Sequence, residues 1–390
     1  MITVDQALAD LFALVSVLKS ETVPLQKANG RVLAETVVAT RDQPPFAASA
    51  MDGYAVSDAS ISTGKTFSVI GEAAAGHRWD GTVGADQAVR IFTGAPLPTG
   101  TDHVVIQENV TRDGDMITLD DSGNDQPYVR PAGADFKRGD QITAPRALRP
   151  SDIALFAAMN VPTLQVTRRP VVAIIATGDE LVQPGEAPKD DQIIASNSYG
   201  LAALVEDLGA RPRLLPIARD NKASLELAFD LAADADLIVT IGGASVGDHD
   251  LVGDVALAKG MDRAFYKVAM RPGKPLMAGR LGQAAMIGLP GNPVSAMVCG
   301  HVFLAPVIRK MRGLGQNASP RERAILAHAI PENGPREHYM RGRIDGDSVT
   351  IFERQDSALL TVLADANCLV VHPASAPARA RGDSVEIIRI

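Results

Sequence analysis

Residues 171–181 read Val-Val-Ala-Ile-Ile-Ala-Thr-Gly-Asp-Glu-Leu, an unbroken apolar run followed by a glycine turn and two carboxylates. Six apolar residues without polar alternation predict a strand buried on both faces, as in a parallel sheet covered by helices. The chain that follows repeats the theme. A helix is predicted over 198–208, stopped by Gly209. A strand near Leu214, a helix over 222–233 and a strand over 237–240 come next. A last strand over 284–288 feeds a long helix that begins near Pro293. Such alternation predicts a doubly wound three-layer α/β domain, placed over 169–317.

Outward from this domain the pattern becomes β-rich. Short runs at 66–70, 88–92 and 103–107 are separated by Gly, Asp and Pro turns, which predicts a β-rich insertion domain over 44–130. Runs at 324–329, 349–352, 368–371 and 385–390 predict a small C-terminal β domain over 318–390. The first forty residues read as a helix and then strand, ending at Gln43-Pro44-Pro45.

Composition narrows the function classes. A chain of 390 residues with 46% hydrophobic and 22% charged residues is globular and exceeds one ordinary core. Aromatics at 4% argue against a carbohydrate- or base-stacking surface, and a net charge of -8 argues against nucleic acid. The N-terminus reads as an amphipathic helix and not as a signal peptide, and no run approaches the roughly 20 uncharged apolar residues of a membrane span. The cytoplasm is the expected location. Cys299 and Cys368 both lie in apolar runs and are expected to be buried thiols.

Four loops fall where an α/β sheet binds ligands, beyond the carboxyl ends of its strands. In Thr177-Gly178-Asp179-Glu180, a carboxylate suits Mg²⁺, and the same residues suit a plain turn equally well. Gly242-Gly243-Ala244-Ser245-Val246-Gly247-Asp248-His249-Asp250 exposes backbone N–H groups to a phosphate, with Ser245 and Asp250 tilting the reading away from a mere tight turn. It matches neither common nucleotide fingerprint. Lys267, Arg271 and Lys274 flank Pro272-Gly273, an oxyanion-binding arrangement set against the global acidity; such a run can also be a solvated face. Pro290-Gly291-Asn292-Pro293 suits a helix start, with Asn292 as cap and Pro293 in the first turn, and it offers a positive dipole end to an anion.

Together these segments resemble the MoeA family and its eukaryotic relatives, including the gephyrin E domain. The matching pieces are SAMDGYAV (49–56), FTGAPLP (92–98), VRPAGADFKRGD (129–140), ATGDELV (176–182), SNSYGLAALVEDLGA (196–210), TIGGASVGDHD (240–250), KVAMRPGKPL (267–276) and GLPGNPVSAM (288–297). Eight pieces in family order are specific. The family often carries Lys where this chain has Arg271, and Asp-Asn where it has Ala47-Ala48.

The resemblance implies a homodimer whose site lies between the α/β domain of one subunit and the β-rich part of the other. It also implies an interleaved α+β linker domain built from 1–43 and 131–168. The implied activity is a molybdopterin molybdenumtransferase: adenylyl-molybdopterin and molybdate give molybdenum cofactor and AMP, with Mg²⁺ as cofactor. Family roles fall on Asp52, Thr93, Asp135, Glu180, Asp220, Asp250, Lys267, Arg271, Lys274, Pro290 and Pro293. Glu180 and Asp250 are the expected metal ligands. Asp52, Thr93, Asp135, Glu180 and Asp250 are the expected catalytic set. Gly242, Gly243, Ser245 and Asn292 join the expected substrate contacts. Partners among other cofactor-biosynthesis proteins are also implied. Two alternatives differ in kind: a molybdopterin adenylyltransferase, usually the α/β module alone, and a non-enzymatic scaffold that releases no AMP.

Overall fold

The computed structural model describes residues 1–120, 126–243 and 251–390. Along the strand Val171–Ala176 the side chains alternate between two cores: Val172 and Ile174 enter one, Ala173 and Ile175 the other. The strands Leu237–Ile241 and Ala284–Leu289 divide in the same way, which is why their sequences lack polar alternation. One face is covered by helices Asn197–Asp207 and Pro293–Met311 and also by the N-terminal helix Val4–Leu14. The other is covered by Lys222–Ala232 and Leu251–Ala258. These are the three layers expected.

The sheet order is Arg211–Leu214, Val171–Ala176, Leu237–Ile241, Ala284–Leu289, Met277–Leu281, Asp262–Tyr266. The first four strands are parallel, whereas Met277–Leu281 is antiparallel to both of its neighbours. Two reversals bring the carboxyl end of Asp262–Tyr266 to the same edge as those of the parallel strands. The loop beginning at Lys267 therefore starts at the ligand-binding edge, although no βαβ crossover delivers it.

Helix Pro293–Met311 is long and apolar enough to cross a membrane, yet 78% of its span is buried inside the protein. It is the core helix of the α/β layer. Its middle, Gly300–Leu304, is π-helical. Pro306 follows and has no N–H to give back to the preceding turn, so a widened turn there is expected. Both cysteines are free and buried.

Around this layer, strands Ser20–Pro24, Val32–Leu33, Arg146–Ala147 and Thr163–Thr167 share one antiparallel sheet, and Val37–Val38 pairs with Gln141–Ile142. The chain before residue 44 and the chain after 131 are thus woven together. Between them lies a six-stranded sheet in the order His103–Ile106, Gly53–Val56, Gln87–Ile91, Thr66–Ala73, Met116–Leu119, Val110–Asp113. At the C-terminus, Glu337–Asp345, Ser348–Ile351, Glu322–Leu326, Ser384–Arg389 and Cys368–His372 pair in turn, and the last pairs back with the first. That closes a five-stranded barrel and leaves those strands no free edge. Met270–Arg271 adds to it in parallel with Glu337–Asp345, tying the α/β layer to the barrel.

Candidate active site

Three loops at the carboxyl edge are stitched to one another by backbone hydrogen bonds. Thr177 N–H donates to Ile241 O at 3.0 Å, and Gly242 N–H to Leu289 O at 3.1 Å. Asn197 Nδ2 donates to Gly291 O at 2.7 Å. Gly242 and Gly243 have φ of +92° and +67°, a region that side chains with a Cβ rarely occupy. A Cβ on Gly242 would also stand 2.8 Å from Thr177 O, and one on Gly243 would strike the Val252 side chain. The glycines here are demanded by the backbone approach itself.

These loops enclose a cavity of about 1060 Å³. Of the residues expected at the site, Glu180, Asp220, Gly242, Gly243, Pro290, Asn292 and Pro293 line it. Asp254 adds a third carboxylate, and Ile193 and Ile194 an apolar ledge. Ser245 and Asp250 lie outside the described residues. Among the described residues, no group of three or more His, Cys, Asp or Glu is arranged to hold a metal ion.

One local expectation is corrected. Asn292 occupies the N-cap position, but its side chain makes no capping bond. Its Nδ2 instead donates to Ser357 Oγ at 3.1 Å, while Val294 N–H donates to Ser357 O at 3.0 Å. The helix start is thus capped from the C-terminal region, which removes one of the free N–H groups assigned to an anion. The cationic loop keeps its charged side chains partly or fully at the surface. Arg271 is exposed, and Lys267 and Lys274 are half-buried. Pro275 is the residue of 267–275 that lines the cavity. The chain start pins this loop: Ala269 N–H donates to Ile2 O at 2.8 Å.

Beside Arg271 the structure holds a cation that sequence reading missed. Arg341 is fully buried, and its Nε and Nη1 have no partner. Its Nη2 donates to Asp356 O at 3.0 Å. Burial lowers its proton affinity, Asp356 opposes that, and Arg271 adds to it. His338, the neighbour of Arg271 across the strand pair, is pushed down to about 4 by burial and by the charges of Arg271 and Arg341. A buried guanidinium with two unpartnered nitrogens is an exception to the rule that buried polar groups are hydrogen-bonded. The available signal was an arginine inside the apolar run Tyr339-Met340-Arg341 with no acid beside it.

Asp52, Thr93 and Asp135 stand apart from the cavity. Thr93 donates both its N–H (2.7 Å) and its hydroxyl (2.8 Å) to Asp52 Oδ1. These bonds hold the Asp52 carboxyl below the usual carboxylate range, and the Arg90 charge adds to them. Arg90 is gripped by Gly53 O at 3.0 Å and Gln107 Oε1 at 2.6 Å, and it lies over Tyr54 and Phe92. Asp135 is exposed, and its N–H donates to Gln43 O at 2.9 Å.

An α/β domain with a glycine-lined cavity at the carboxyl edge of its parallel strands defines a protein that binds a ligand at that edge. Comparison with known proteins narrows that class. Family models described as "MoeA N-terminal region (domain I and II)", "Probable molybdopterin binding domain" and "MoeA C-terminal region (domain IV)" match residues 2–160, 173–310 and 323–390. A molybdopterin molybdenumtransferase of Nostoc sp. is 36% identical, over 95% of this chain and 89% of its own. One from Haemophilus influenzae is 35% identical, over 95% and 94%. The crystal structure of a molybdopterin biosynthesis MoeA protein from Pyrococcus horikoshii superposes with a TM-score of 0.85 at 27% identity, covering 100% of both chains. The chain belongs to the MoeA family of molybdopterin molybdenumtransferases.

Proposed function

We propose that this protein inserts molybdenum: adenylated molybdopterin and molybdate enter, and molybdenum cofactor and AMP leave. The observation that carries this reading is the match to molybdenumtransferases along the whole chain, with the cavity where an α/β fold binds its ligand. Both substrates are anions, so the site must offset their repulsion. The Gly242–Gly243 turn, free of Cβ atoms, lets a phosphate approach the backbone closely. Arg341, Arg271, Lys267 and Lys274 supply cations on the barrel side, and we assign them to molybdate.

Mg²⁺ suits the donor set at Glu180, because this ion takes one or two carboxylates and completes its shell with water and phosphate oxygens. Glu180, with Asp250, would hold it, and there it would polarise the phosphoanhydride. Asp220 lines the same wall and holds the nucleotide side. Asp52 has one carboxylate oxygen engaged by Thr93, which leaves the other to accept a proton from the attacking oxygen.

Asp52, Thr93 and Asp135 do not line the cavity, so a second copy bringing its β-rich region there would complete the site. We therefore read the working unit as a homodimer in the cytoplasm that receives its substrate from other cofactor-biosynthesis proteins. Measuring molybdenum bound to pterin after incubation with both substrates tests the reading. Metal-loaded pterin is expected, and unchanged adenylated pterin would refute it.

A further inference from the structure

Arg219 lies beside the cavity and belongs to none of the roles above. Its Nη1 donates to three carbonyls, Gly178 O at 3.4 Å, Asp179 O at 3.0 Å and Leu181 O at 3.2 Å. The carbonyl it skips, that of Glu180, accepts the Ile193 N–H at 2.8 Å. All four carbonyls of the turn carrying Glu180 are therefore held from outside the turn. Arg219 is itself anchored, since its N–H donates to Ser224 Oγ at 2.9 Å in the first turn of Lys222–Ala232. Next to it, Asp220 N–H donates to Asp179 Oδ1 at 3.2 Å.

We infer that Arg219 is a positioning residue that fixes the 178–181 turn and so presents the Glu180 carboxylate to the cavity. The inference rests on the reading that Glu180 acts in anhydride cleavage. Parallel pairing of Leu181–Val182 with Ile193–Ile194 and the Gly178 N–H bond to Ala218 O at 3.1 Å hold the two ends of the turn, but neither engages the carbonyls of Gly178, Asp179 and Leu181. A charge-assisted donor shared by three carbonyls does. Without it those carbonyls turn to water and the carboxylate wanders, and a misplacement of about 1 Å at a reacting group lowers rates by roughly 100-fold.

The test is AMP release by Arg219→Ala, Arg219→Lys, Glu180→Ala and the double variant Arg219→Ala/Glu180→Ala, each checked by thermal melting. Arg219→Ala is expected to lower kcat by roughly 10- to 100-fold with a smaller change in KM. Arg219→Lys is expected to recover most of that, because one ammonium offers three donors. The double variant is expected to be no slower than Glu180→Ala. Should Arg219→Ala fail to melt like the parent, Arg219→Gln replaces it. Losses that multiply in the double variant, or an Arg219→Ala rate within about twofold of the parent, overturn the inference and leave Glu180 untouched. Normal turnover by Glu180→Ala overturns the role of Glu180 and the inference with it.

Discussion

Asn292 and Ser357, 65 residues apart in the chain, meet across the boundary between the α/β layer and the C-terminal region at 3.1 Å. The Ser357 carbonyl also caps the helix that starts at Pro293, through Val294 N–H at 3.0 Å. One short segment thus sets both a cavity-lining side chain and the start of the core helix. Ser357→Ala keeps the backbone cap and removes only the bond to Asn292. It is expected to lower stability by about 1 kcal/mol or less, read by urea melts, while raising KM because the 290–293 wall loosens.

Thr93 and Asp52 give a pH-dependent prediction. The hydrogen bonds from Thr93 favour the ionised Asp52 carboxylate. Thr93→Val removes the hydroxyl and keeps the N–H, so the Asp52 carboxyl should titrate at a higher pH. The acidic limb of the rate profile is then expected to move up in pH, and Asp52→Asn should abolish activity across the range. An unmoved limb would remove Asp52 from the reaction.

Gly243→Ala combines a positive φ with a clash against the Val252 side chain. A loss of about 1–3 kcal/mol is expected, read from the denaturation midpoint, together with loss of substrate binding.

Arg341→Leu separates function from stability. Removing a buried guanidinium with two unpartnered nitrogens should be neutral or stabilising, while molybdate-dependent turnover falls by roughly 100-fold. A destabilised variant with normal turnover would assign Arg341 a structural role.

Acid sensitivity follows from His301 and His338. Burial pushes both down to about 4, so both are neutral in the folded protein at mildly acidic pH. The unfolded chain takes up those protons from about pH 6.5. Their folded pKa is depressed, so stability is full above about 6.5 and is lost as pH falls toward 4, by on the order of 3 kcal/mol for each histidine. Denaturant melts at stepwise pH should show this slope, and His338→Gln should flatten it.

Much of this architecture is legible in the chain because its signals are local. The helices at 197–207 and 222–232 follow from period and stop signals, and the buried strands follow from unbroken apolar runs. The cavity loops follow from glycines and prolines after those strands. What escaped is non-local. The antiparallel strands Met277–Leu281 and Asp262–Tyr266 contain charged residues and no helix between them, so alternation did not reveal them. Barrel closure depends on pairing between Glu337–Asp345 and Cys368–His372, which no local pattern encodes. The environments of Arg219 and Arg341 arise only on folding, which brings three carbonyls to one and buries the other.

The central claim is molybdenum insertion, and its most direct test is AMP release from adenylated molybdopterin by the purified protein, with and without molybdate and Mg²⁺. The account predicts release that requires molybdate and falls steeply, to a small residual rate, in Glu180→Ala. Tight binding of the adenylated pterin with no AMP released under any of these conditions would contradict it.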